Sequence, residues 1–189
     1  MIRLHIVSPV ARPQLIGAVA TSIVMSEPHD LNIRWHIGFQ NKEDDLKGIE
    51  KVNELIDLIP VDPSNWVCFA ADHTWIHQSF FRRLGELIRE NPSKRGIIVS
   101  GERRDPNYRI LHAQPKNIVP GKVCGSQCVY RRDLIGDERF NWDRYQSGCD
   151  GELAKSLFER NRNDFLLVDE VLTSYQGVFW TRSGDIRGV

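Results

Sequence analysis

From Trp66 to Ala71 the chain is apolar without a break, and at Asp72-His73 it turns polar at once. That pattern narrows the possible folds more than any other in the sequence. A buried strand that stops at adjacent polar side chains places them at the carboxyl edge of a sheet. In open α/β folds ligands bind at that edge. An aromatic, amphipathic segment follows from about Gln78 to Glu90. Its Phe80, Phe81, Leu84, Leu87 and Ile88 recur at helical spacing, and Asn91-Pro92 stops it.

The rest of the chain repeats this alternation. Leu4–Val7 is a short apolar run ending at Ser8-Pro9, so a strand leads into a turn. Pro13 to Met25 carries Leu15, Ile16, Val19 and Ile23 on one helical face, with Pro13 suited to the first turn. Ile33–Phe39 alternates as a half-buried strand does. Asp44 and Asp45 can cap a helix built on Leu46, Ile49, Val52, Ile56 and Ile59, and Pro60 and Pro63 end it. Further strands are expected at Asn65–Ala71, Gly96–Ser100, Tyr108–His112, Val123–Tyr130, Phe165–Val168 and Val171–Tyr175. Further helices are expected at Arg132–Ile135 and Gly148–Arg160, and Pro115–Gly121 reads as a loop. The opening β-α-β-α-β-α-β order predicts a three-layer α/β/α sandwich with a largely parallel sheet. The β-rich stretch from Gly96 to Tyr130 makes that sheet mixed. Residues 1–180 form one domain on this reading, and 181–189 a frayed C-terminal tail.

Composition removes several classes of partner. The chain has 189 residues, 41% of them hydrophobic and 26% charged, enough for one sizeable core. Lys plus Arg and Asp plus Glu number 25 each, so no net charge attracts nucleic acid or an anionic membrane. Arg82-Arg83, Arg103-Arg104 and Arg131-Arg132 read as solvated surface pairs. No apolar run approaches the roughly 18–20 residues that span a bilayer, and the N-terminus reads as a strand rather than a signal peptide. Cys68, Cys124, Cys128 and Cys149 lack CxxC spacing. They are expected as buried free thiols of a cytoplasmic protein, with a Cys124–Cys128 pair as the alternative. Nothing in the sequence sets an oligomeric state.

Three constellations can carry chemistry. Asp72 and His73 can hold a divalent metal that bridges a diphosphate; alternatively Asp72 caps the next helix and His73 packs. In Ser147-Gly-Cys-Asp-Gly-Glu152, Asp150 is either a cap or a general base held at a cleft. Ser8-Pro-Val-Ala-Arg12 follows the first strand and opens a helix, where backbone donors can meet a nucleotide; Arg12 is either a phosphate or ribose contact or an exposed turn residue. His73-Thr-Trp-Ile-His77 has HxxxH spacing, but Thr74 stands where a zinc protease needs its glutamate. No GxGxxG, GxxxxGK[ST] or GxSxG occurs, which removes the main support for dinucleotide, P-loop and α/β-hydrolase readings.

The order of these sites resembles an inverting glycosyltransferase of the GT-A fold, of the family-two type, over about Ile2 to Tyr175. IVSPVARP resembles the opening strand and nucleotide-contacting turn, IRWHIGFQN the second strand, and WVCFAADHTWIH the strand bearing the D-x-D metal motif. GSQCVYRRDLIG resembles the segment lining the donor sugar, and FNWDRYQSGCDGELAKSLFER the region of the catalytic base. The resemblance implies a nucleotide-sugar donor, a carbohydrate or other hydroxyl acceptor, and a Mn2+ or Mg2+ ion at the diphosphate. It places Asp72 and His73 at the metal, Asp150 as the base, and Ser8, Pro9, Arg12 and Gln40 at the nucleotide. Gln127, Trp142 and Tyr145 fall beside the donor or acceptor sugar. Ala71 stands where the first carboxylate of D-x-D is expected, and Gln40 or Asn41 where the second strand has an aspartate. Those departures support an alternative: a catalytically inactive GT-A-like domain that binds a sugar nucleotide or a protein partner.

Overall fold

The structure, a computed structural model, describes residues 1–10, 13–39, 45–72, 74–103, 108–141, 149–175, 179–180 and 186–187. Its strands are β1 (Arg3–Val10), β2 (Asn32–Phe39), β3 (Asn65–Phe69), β4 (Thr74–Ile76), β5 (Gly96–Arg103), β6 (Arg109–Leu111), β7 (Cys128–Arg131), β8 (Phe165–Tyr175), β9 (Phe179–Trp180) and β10 (Ile186–Arg187). Its α-helices are α1 (Ile16–Val24), α2 (Asp45–Asp57), α3 (Phe80–Glu90), α4 (Arg132–Ile135) and α5 (Cys149–Arg160). The main sheet runs β2-β1-β3-β7-β5-β8-β4, with β6 paired to β5. β1, β2, β3, β5 and β8 run one way; β4, β6 and β7 run the other. The sheet is therefore mixed, as the sequence predicts.

Strand alternation feeds two cores, one on each face. Val67 and Phe69 of β3 join Ile98 and Tyr130 against Ile56, Leu153 and Leu157, from α2 and α5. Trp66 and Cys68, the intervening residues, join Ile97 and Val99 against Val19 of α1 and Phe81, Leu84 and Leu87 of α3. Each such buried side chain contributes about 1.5–3 kcal/mol relative to exposure. This explains the uninterrupted apolar run: β3 is central and covered on both faces.

Five expectations change. The turn expected at Ser8-Pro9 is strand instead: β1 runs on to Val10, with Ser8 paired to Ile37 and Pro9 to Gly38 of β2. The strand through Ala71 ends at Phe69, and a short strand, β4, intervenes before α3, because Thr74–Ile76 pairs antiparallel with Thr173–Tyr175. Val123–Tyr130 is a strand only from Cys128; Gly125–Gln127 is a 3-10 turn. The two closing strands are one, β8, with a register shift. Val99 pairs with Val168 but Ser100 with Val171, so Asp169 and Glu170 bulge out. Their carboxylates are held on either side, Asp169 accepting from Ser100 Oγ at 2.7 Å and Glu170 from Arg83 Nε at 3.0 Å. Arg132 is not a surface residue: it is 4% exposed, and donates through Nε to Ile59 O and through Nη1 to Gly136 O. The Arg82-Arg83 pair does face solvent, in ion pairs with Glu27, Glu86 and Glu170. Of the tail, Ile186–Arg187 pairs with Phe179–Trp180 and the rest lies outside the described residues. Cys68, Cys124 and Cys128 are free thiols, with burial pushing Cys68 up to about 12. No helix among the described residues is long and apolar enough to cross a membrane.

Candidate active site

The parallel strands end on one edge, at Val10, Phe39, Phe69, Arg103 and Tyr175. The antiparallel β7 and β4 begin there, so the Gly125–Gln127 turn and Thr74 share that edge. The first turn of α5 reaches the same place. Gly125 N–H donates to Asp150 Oδ2 at 2.6 Å, and Gly151 N–H to Asp150 Oδ1 at 2.9 Å. Asp150 thus lies inside α5, not at its cap. A residue 25 positions away fixes its carboxylate. The close approach requires glycine at 151, where a Cβ would sit 2.6 Å from Pro120 Cα and 3.0 Å from Pro120 N. Backbone on both sides cannot yield, so Gly151 sets how deeply α5 seats Asp150 at the edge.

Gln127, 1% exposed, has its amide engaged by the backbone. Nε2 donates to Val99 O and Leu111 O, each at 2.9 Å, and Oε1 accepts from Cys124 N–H at 2.9 Å. It clasps β5, β6 and the turn that presents Gly125. Ser8 is 0% exposed and its hydroxyl accepts from Trp35 Nε1 at 2.8 Å; Pro9, beside it on β1, is half-buried. Arg12, Gln40, His73, Trp142 and Tyr145 lie outside the described residues.

Asp72 sits in a tight turn. Ala70 N–H donates to Val7 O and Thr74 N–H to Ala71 O, and β4 then leaves for β8. Asp72 is 2% exposed and caps no helix; α3 starts at Phe80 behind Ser79. Among the described residues no group of three His, Cys, Asp or Glu side chains could hold a metal ion. A buried Asp72 beside Ala71 does not by itself fit the divalent ion that the resemblance implies. Thr74–Ile76, the stretch between the two histidines of the HxxxH spacing, is strand β4 rather than helix. His77 Nε2 instead donates to Ser174 Oγ at 2.9 Å, and Ser174 donates to Glu102 Oε2 at 3.1 Å.

Sequence reasoning missed Gly125, because a backbone donor leaves no mark on the side-chain pattern. It also missed the ends of β5 and β8, where Glu102, Ser174 and Tyr175 converge through the bulge. Only a VDEV segment that breaks an apolar run hinted at that irregularity.

Comparison with solved structures fixes the fold. S. aureus TarS superposes with a TM-score of 0.67 at 12% identity, over 94% of this chain and 37% of that one. The TarS 1–349 complex with UDP gives 0.65 at 11% identity, over 93% and 60% of the two chains. The complex of the same TarS fragment with UDP-GlcNAc gives 0.63 at 11%, over 96% and 60%. This chain has a GT-A-type glycosyltransferase fold. It spans 60% of TarS 1–349 and 37% of the longer TarS structure. No protein-family model matches the chain, and no curated protein matches it.

Proposed function

We propose that the chain transfers a sugar from a nucleotide-diphosphate donor to a hydroxyl acceptor, with Asp150 as the general base. The observation that carries this reading is the Asp150 carboxylate, held by Gly125 N–H at the carboxyl edge of a glycosyltransferase-like sheet. Two backbone donors fix the orientation of the carboxylate, which suits an in-line proton transfer. The acceptor hydroxyl gives its proton to Asp150, its oxygen bonds the anomeric carbon, and the bond to the diphosphate breaks on the opposite face, inverting the centre. The fold match to TarS, solved with UDP and with UDP-GlcNAc, makes those two molecules the first probes. A divalent ion at the diphosphate would supply charge to the leaving group. Of the ligands implied for it, the described residues contribute only Asp72. Ala71, standing where the first D-x-D carboxylate is expected, favours the second reading, a domain that binds a sugar nucleotide without turning it over.

A thermal-shift screen against nucleotide-sugars, with and without Mn2+, tests the proposal. A ligand that binds only the folded chain raises the midpoint with its concentration. UDP or UDP-GlcNAc is expected to do so. If no nucleoside diphosphate or nucleotide-sugar shifts the midpoint, the proposal fails.

A further inference from the structure

Arg103 and Arg109 stand directly opposite each other on the antiparallel β5–β6 pair. Like charges so placed destabilise a sheet, and this pair is not neutralised within the described residues. Ion pairs there gather on α3 and around Arg95, Arg131 and Arg139, and none involves Arg103 or Arg109. Arg103 Nε is buried without a hydrogen-bond partner, and an unmade hydrogen bond at a buried charged donor is costly. Thr173 Oγ1, 3.0 Å from where a Cβ on Gly101 would lie, is also buried without a partner. Two residues on from Gly101, Arg103 points to the same face of β5.

That face is the one Asp150 occupies. The Arg103 guanidinium lies over the Tyr175 ring, 5.6 Å from its centroid, and Tyr175 pairs with Thr74 beside the Asp72 turn. On the other side the two arginines act on Cys124, the residue before Gly125. Burial first, and then Asp150, push that thiol up to about 12, while Arg103 and Arg109 pull it the other way. The two cations therefore stand at the sheet edge that also carries the Asp72 turn and the Asp150 carboxylate, where the leaving group of the proposed reaction must lie.

We propose that Arg103 and Arg109 seat the diphosphate of the nucleotide donor, supplying positive charge from two guanidinium forks at an edge where the described residues hold no group of three His, Cys, Asp or Glu side chains for a metal ion. The inference rests on the glycosyltransferase reading. A planar guanidinium meets phosphate oxygens through two parallel N–H donors, and two of them offset the charge that gathers on the diphosphate as the sugar leaves. An anion here also satisfies Arg103 Nε and relieves the repulsion across β5 and β6.

Calorimetric titration of UDP in EDTA tests this, with uridine as the phosphate-free arm. The proteins are wild type, Arg103→Gln, Arg103→Lys and Arg109→Gln. Arg109 is exposed, so its variant keeps the fold, and an unchanged thermal midpoint checks each one. UDP is expected to bind without metal, each Gln variant to weaken it about tenfold or more, and uridine to be unaffected. Arg103→Lys, which keeps the charge but not the fork, should fall between. Unchanged UDP affinity in both Gln variants overturns the inference, as does UDP binding that requires Mn2+, or a loss that uridine shares. Those results leave the glycosyltransferase reading standing. If no nucleoside diphosphate or nucleotide-sugar binds with or without Mn2+, that reading and the inference fall together.

Discussion

Replacing Gln127 with leucine tests how the site is built. The side chain keeps its bulk, so no cavity opens, but three hydrogen bonds vanish together. Val99 O and Leu111 O each lose a donor at 2.9 Å, and Cys124 N–H loses its acceptor at 2.9 Å. Each lost bond costs about 1 kcal/mol, and a buried donor left without a partner about 1–3 kcal/mol. The added apolar contact returns about 1 kcal/mol. The net loss is about 3 kcal/mol, a large share of a typical stability of about 5–15 kcal/mol. With an m-value of about 2 kcal/mol/M in urea, the unfolding midpoint should fall by about 1–2 M. Urea titration followed by circular dichroism measures it. A midpoint within about 0.3 M of wild type, together with weaker nucleotide-sugar binding, would refute the clasp and make Gln127 a ligand contact instead.

Two further outcomes follow from named contacts. Gly151→Ala forces a Cβ against the Pro120 backbone and should cost about 1–3 kcal/mol. Because α5 must shift, turnover should fall more than nucleotide affinity, which steady-state kinetics beside titration will show. His5 and His36 form a stacked pair, Nδ1 to Nε2 at 2.8 Å, with Arg3 and Arg34 nearby. Asn65 Nδ2 donates to Pro60 O, so its Oδ1 faces His5 Nε2–H; His5 Nδ1 then accepts from His36 Nε2–H, and both rings are neutral. Burial is the main cause lowering both from 6.5. The unfolded chain takes up these protons first, so the stability is present above pH 6.5 and is lost as pH falls below it. The urea midpoint should therefore drop between pH 7.5 and about 5.5, and drop less in His36→Gln; equal slopes would contradict the pairing.

The sequence carried the layers of this fold because burial leaves a period. Val67 and Phe69 against Trp66 and Cys68 mark a two-faced central strand, and Phe81, Leu84 and Ile88 mark a helix face. It did not carry the bulge at Asp169-Glu170 or the turn at Gly125–Gln127. Both depend on side chains reaching the backbone of distant strands, and such contacts impose no period. Asp150 was readable by its place at the start of an amphipathic helix, but its fixing by Gly125 was not. Arg103 read as a solvated charge because only the pairing of β5 with β6 sets it against Arg109. Arg132 misled in the same way, since its partners are carbonyl groups at Ile59 and Gly136.

The central claim is that Asp150 takes the acceptor's proton. Release of UDP from UDP-GlcNAc across a panel of hydroxyl acceptors, compared between wild type and Asp150→Asn, tests it most directly. Asparagine keeps an oxygen for Gly125 N–H but cannot take up a proton. Turnover is predicted to fall about 10²–10⁴-fold with UDP-GlcNAc affinity nearly unchanged. Wild-type turnover in Asp150→Asn, or a collapse of affinity and turnover together, would contradict it.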